Sequence, residues 1–179
     1  SPNATNATEG LVWVGWILVA GVLVGCASSA DEARSPGTES LGGGASAQTV
    51  EARIDRRVNA HRKSSGLGLL APNAKVAAIA RRHSERMAKG VVPVGHDGFD
   101  ERTKQIYAEV TGATRVGENV SRHRGRDLEE VPADAMEAWL DSPVHRKNIE
   151  KPPFNVSGVG LAVGPDGTVY VTQLFVGVE

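Results

Sequence analysis

Two strand-like runs near the end of the chain, Val156 to Val163 and Thr168 to Val176, are separated by Pro165-Asp166-Gly167. Proline, aspartate and glycine favour tight turns, so this stretch reads as a hairpin. Most of the sequence before it has a helical period. Val50, Ile54, Val58 and His61 share one face over residues 49–64, with Arg53, Arg56, Arg57 and Arg62 on other faces. Ser64-Ser65-Gly66 ends that helix, and Leu67, Leu69 and Leu70 are expected to enter the core. Pro72-Asn73 opens a second helix to about Lys89, carrying Val76, Ile79, Ala80, His83 and Met87, with Gly90 as its stop. A third helix spans Phe99 to Val110 with Ile106 and Tyr107 inward, and a fourth spans Leu128 to Leu140 with Val131, Ala135, Met136 and Trp139. Val116 to Ser121 reads as a short strand or extended turn, and Ser142-Pro143 starts a helical turn to about Ile149. Helices flanking a small antiparallel sheet give an α+β fold, a three-layer α-β-α sandwich.

Composition narrows the function classes. Lys and Arg number 20 against 21 Asp and Glu, so the chain as a whole has no field to gather nucleic acid. Hydrophobic residues make up 40%, enough to fill one core. Cys26 is the single cysteine, so no intramolecular disulfide braces the fold.

The N-terminal part has a separate logic. Leu11 to Gly25 is an unbroken apolar run of 15 residues. A spanning helix needs about 20, whereas the apolar region of a signal peptide needs about 7–15. The run ends in Leu23-Val24-Gly25-Cys26, which resembles a bacterial lipobox. Residues 1–25 are accordingly read as a signal-peptide-like segment, 26–47 as a disordered tether rich in Ser, Gly and Ala, and 48–179 as the folded domain. Lipidation at Cys26 would make the membrane a partner. An uncleaved anchor extended by Ala27 to Ala30, an ordinary secretory signal, or Cys26 as a small apolar residue of a membrane helix are the competing readings. Residues 1–10 contain no Lys or Arg, unlike a basic signal-peptide start, and the chain begins with Ser, which suggests an incomplete or mis-assigned N-terminus.

Several blocks in the folded part occur in a recognisable order. They are Asn59-x-x-Arg62-x-x-x-Gly66-Leu67, Ala80-x-x-His83-Ser84-x-x-Met87-Ala88, Gly117-Glu118-Asn119-Val120, Trp139-x-x-Ser142-Pro143-x-His145-Arg146-x-Asn148-Ile149, Gly158-Val159-Gly160 and Tyr170-x-Thr172-Gln173-x-Phe175. Together they resemble the bacterial branch of the CAP superfamily, also called the SCP/PR-1-like or cysteine-rich secretory protein family, over residues 50–179. The resemblance implies a CAP/PR-1-like sandwich with a cleft where two histidines and two acidic residues converge, and where some members bind a divalent metal. Carried over, the ligand cleft is His96, Glu118 and His145, and the same three residues are the metal candidates, with zinc or another divalent ion as the cofactor. The second acidic position falls on Ser142; Asp141 is adjacent but turned by about 100° along the helix. Two imidazoles and one carboxylate would leave zinc an open coordination position.

Each residue also has a structural alternative. His96 fits a surface loop, His145 a backbone contact near Trp139, and Glu118 a bond to loop amides beside Gly117. Asn119 and Asn148 read as architectural, Trp139 as core, His83 as a packed histidine, and His61 and His123 as solvated. No Gly-x-Ser-x-Gly turn, phosphate loop or thiol nucleophile occurs in the domain. The resulting expectation is a bacterial, extracytoplasmic, lipid-anchored or secreted protein. It is read as non-enzymatic, binding a lipid, an envelope component or a protein at the His/Glu cleft. The alternative is a metal-dependent hydrolase of peptide or envelope polymer at the same cleft, with Glu118 as general base.

Overall fold

The computed structural model describes residues 45–179. The apolar run and Cys26 lie outside them, as does all but the last part of the expected tether. The elements are α1 (Ala47–Ser64), β1 (Ala71–Pro72), α2 (Ala74–Ala88), α3 (Phe99–Glu109), β2 (Ala113–His123), α4 (Val131–Asp141), α5 (Pro143–Ile149), β3 (Val156–Val163) and β4 (Val169–Val178). Ser46 caps α1 by accepting from Thr49 N, and Asn73 caps α2 by accepting from Lys75 N and Val76 N.

The sheet order is β1-β3-β4-β2, with β3–β4 and β4–β2 antiparallel and the two-residue β1 parallel to β3. Side chains alternate across β4. Val171 and Phe175 join Val50, Ile54, Val58, Trp139 and Phe154 in a core under α1 and α4. Leu174 and Val176 join Val76, Ile79, Ala80 and Ile106 under α2 and α3. The molecule is thus the α+β, α-β-α sandwich that the hydrophobic periods imply. Gly158 and Gly160 bring β3 and α2 close together. A Cβ at Gly160 would lie 2.0 Å from Arg81 N, and one at Gly158 would lie 2.2 Å from Ala77 N.

Several local expectations need correction. The strand expected at Val116 to Ser121 runs from Ala113 to His123, because it pairs with β4 along that length. The fourth helix starts at Val131 rather than Leu128, with Pro132 in its first turn. Leu69 and Tyr107 point outward, 58% and 47% exposed. His123 is buried and bonds Ser121 Oγ at 2.9 Å, so it is not solvated. Half-buried His61 bonds Glu150 at 2.8 Å. Ser142 precedes α5 with extended backbone, but its hydroxyl makes no capping bond.

A buried arginine ties the layers together. Arg62 continues the Val50-Ile54-Val58 stripe and is completely buried. Its guanidinium donates to the carbonyls of Gly68, Ile149, Lys151 and Phe154 at 2.7–3.2 Å. These bonds fix the end of α1 to the segment joining α5 to β3.

Candidate functional site

The site is organised by two consecutive residues of the edge strand β2. Glu118 pairs with Leu174 and Asn119 with Gln173, so their side chains leave the sheet on opposite faces. Glu118 faces α2 and α3, and Asn119 faces α5. Gly117 precedes them because Phe154 and Asn148 pack against it: a Cβ there would come within 2.9 Å of the Phe154 ring.

On the α5 face, Asn119 Nδ2 donates to the His145 carbonyl at 3.1 Å. Asn148 Nδ2 donates to the Glu118 carbonyl and to Asn119 Oδ1, each at 3.0 Å. Both asparagines therefore hold α5 against the strand, the architectural role expected of them. His145 is half-buried, and its ring centroid lies 5.9 Å from that of His96. Burial, reinforced by neighbouring His96, holds the His145 pKa below the ordinary histidine value, which favours the neutral ring.

On the other face, the Glu118 side chain is 1% exposed and fully engaged. Arg102, from α3, donates Nε to Oε2 and Nη2 to Oε1, both at 2.7 Å. His96, from the loop after α2, places Nδ1 2.9 Å from Oε1. An ionised carboxylate only accepts, so Nδ1 carries the proton and Nε2 is left to the cleft. Arg102 Nη1 also reaches His83 Nδ1 at 3.1 Å and the Asp97 carbonyl at 2.8 Å. His83 Nε2 lies 2.8 Å from the Gly95 carbonyl, so Nε2 donates and Nδ1 accepts from Arg102. Burial is the largest cause lowering the His83 pKa, consistent with this neutral tautomer.

The structure thus brings His96 and Glu118 into contact and sets His145 beside His96. His83 is packed as expected, but it belongs to the same network. Arg102, which the sequence reading passed over, lies at its centre. The three-residue metal set requires correction. Both Glu118 oxygens are committed to a guanidinium, and among the described residues no three His, Cys, Asp or Glu side chains are placed to hold a metal ion. The residues do not fit that centre, and Glu118 is equally unsuited to act as a free general base. The alternative of bonds from loop amides to Glu118 is also replaced by Arg102 and His96. Ser84, next to His83, is fully buried, 2.9 Å from the Gly160 carbonyl and from Thr172 Oγ1, so it is a packing residue.

A cavity of about 390 Å³ opens between α2 and α3. It shares His83 and Arg102 with the network but does not border His96, Glu118 or His145. Ile79 and Val92 give it an apolar floor, and Arg82, Arg86 and Glu101 line it with charge.

This sandwich, with histidines from α2, the following loop and α5 gathered beside Glu118 of an edge strand, defines the class. The sequence pattern of the cysteine-rich secretory protein (CAP) family matches residues 56–175, and the chain belongs to that family. It is 26% identical over 133 residues to the uncharacterized protein YkwD of Bacillus subtilis (strain 168), covering 74% of this chain and 49% of that protein. An extracellular SCP-domain protein of Bacillus anthracis shares 27% identity with a TM-score of 0.57, over 72% of this chain and 40% of that one. The chain therefore spans about half the length of the curated relative it matches. An outer surface protein of Borrelia burgdorferi has the same fold with a TM-score of 0.63 and 16% identity, over 75% of this chain and 97% of that one. Among the described residues, no helix is long and apolar enough to cross a membrane.

Proposed function

We propose that this protein is an extracytoplasmic, non-enzymatic binding module that takes a ligand at the face formed by His96, His145 and the adjoining α2–α3 cavity. The observation that carries this reading is the commitment of Glu118. A carboxylate that is 1% exposed and accepts three hydrogen bonds, two of them from Arg102, shapes a site but is poorly placed to take a proton from a substrate. Half-exposed His96, half-buried His145 and a cavity within the small-molecule range of about 300–1,000 Å³ provide the recognition surface. The extracellular Bacillus anthracis relative supports an extracytoplasmic location, and the lipobox-like end of the apolar run supports lipid anchoring at Cys26. A lipid or an envelope component fits the apolar floor and charged walls of the cavity.

Mass spectrometry of small molecules that co-purify with the full chain tests the reading. A lipid or envelope fragment retained by the parent and lost from the His96→Ala/His145→Ala variant, with the fold intact, is the expected result. Equal retention in both would remove the cleft as the site. Turnover of a peptide or envelope polymer, abolished by a chelator and restored by zinc, would overturn the non-enzymatic reading.

A further inference from the structure

Arg102 holds a position in this cleft that invites comparison with a metal ion. Two side chains of metal-binding type bond its guanidinium, Glu118 through both oxygens at 2.7 Å and His83 through Nδ1 at 3.1 Å, and a third, His96, bonds the same carboxylate through Nδ1 at 2.9 Å. The donors come from three elements: β2, α2 and the loop after α2. The pair is largely shielded, with the Arg102 side chain 11% and the Glu118 side chain 1% exposed. The guanidinium is fixed by further bonds to the Asp97 and His96 carbonyls. A divalent ion approaching Glu118 would meet a permanent positive charge at hydrogen-bond distance in a poorly solvated place, where that repulsion is least screened.

We infer that Arg102 is the resident cation of this cleft, that it excludes divalent metal, and that neutralising it opens a zinc site formed by His83, His96 and Glu118. The vacated space would present His83 Nδ1 and the Glu118 carboxylate, and His96, now bonded to Glu118 through Nδ1, must turn to add the second imidazole of the mixed N/O set that zinc accepts at about 2.0–2.2 Å. Metal would then meet the charge requirement of buried Glu118 that Arg102 meets in the parent. This goes beyond the ligand-binding reading and holds whatever the cleft binds.

Calorimetric titration of zinc into the full chain, with thermal melts in the presence and absence of zinc, tests it. The forms compared are the parent, His96→Ala, Arg102→Met, and Arg102→Met combined with His96→Ala. The readout is the difference between forms, since Cys26 and His61 are present in all four. The parent and His96→Ala are expected to give the same isotherm. Arg102→Met is expected to gain a site at least about tenfold tighter, or about 1.4 kcal/mol, which disappears in the double variant. Zinc should also raise the melting temperature of Arg102→Met but not that of the parent. Should Arg102→Met not fold, Arg102→Gln takes its place, and zinc-dependent recovery of the fold in either counts as the expected result. A parent zinc site that His96→Ala removes would overturn the inference. So would a folded Arg102 variant with the parent's isotherm, or unfolded Arg102 variants that zinc does not recover.

Discussion

The Arg102 guanidinium lies 2.7 Å from each oxygen of the Glu118 carboxylate, and it couples α3 to the edge strand of the sheet. Neither partner is easily replaced alone, because a buried charge without its counterion is costly. Arg102→Met is expected to destabilise the fold by about 3–5 kcal/mol. Arg102→Met combined with Glu118→Leu is expected to be more stable than Arg102→Met, since no uncompensated charge remains. Urea unfolding of the two single variants and the double variant measures the coupling. Additive losses would show that the pair is energetically unimportant.

The Gly158-Val159-Gly160 block has a steric cause that its sequence does not reveal. A Cβ at Gly160 would sit 2.0 Å from Arg81 N and 2.3 Å from Arg81 Cα, both backbone atoms of α2. Gly160→Ala must push α2 off the sheet and is expected to cost at least about 3 kcal/mol. Gly68→Ala is the control, because none of the described residues lies within 4 Å of its added Cβ; its effect should stay within about 0.5 kcal/mol. Equal unfolding midpoints for the two variants would contradict the close-packing account.

Hydrophobic period was enough to read the helices and the hairpin, since one apolar stripe per helix and a turn between two strand-like runs leave few alternatives. The site was legible only in part. His96, Glu118 and His145 came from family resemblance, and the structure brings them to one edge of the sheet. Arg102 was overlooked because Asp100-Glu101-Arg102-Thr103-Lys104 looks like a solvated run. Its position carried a signal all the same. Phe99, Arg102, Ile106 and Val110 follow i, i+3, i+4 spacing, so Arg102 falls within the apolar stripe of α3. Arg62 does the same, four residues beyond Val58 on α1. A charge inside an apolar stripe calls for a buried partner, but the sequence does not say which one. The partners lie far along the chain, at Glu118 in one case and at the carbonyls of residues 149–154 in the other.

Arg62 therefore gives a second stability test. It is completely buried with no acidic partner among the described residues, and burial lowers its pKa. Four carbonyls supply the compensating hydrogen bonds. Arg62→Met retains much of the apolar stem but leaves those carbonyls without a donor, and is expected to cost about 3 kcal/mol or more. Arg62→Lys should recover only part of the loss, because a point-like ammonium cannot span all four acceptors. Denaturant unfolding of both variants, with Arg62→Lys as stable as the parent, would contradict the role of the fork.

Asp55 sets a pH dependence opposite in sign to that of a salt-bridged carboxylate. Burial is the main cause pushing its pKa up from 3.8 to about 6; the Ser157 hydrogen bond opposes the shift and nearby Glu51 adds to it. The folded state therefore holds this proton more tightly than the unfolded chain. Its stabilising contribution is fully present below about pH 3.8 and is lost as pH rises through about 6. At neutral pH the half-buried, ionised carboxyl costs at most about 3 kcal/mol. Asp55→Asn removes the charge and keeps an acceptor for the Ser157 hydroxyl, so it should stabilise the fold at pH 7.5 and have little effect at pH 4. Melting temperatures of parent and variant from pH 4 to pH 8 provide the check: the gap should open between the two values given for Asp55. A constant gap across that range, or a variant less stable at pH 7.5, would show that Asp55 ionises in the fold as readily as in the unfolded chain.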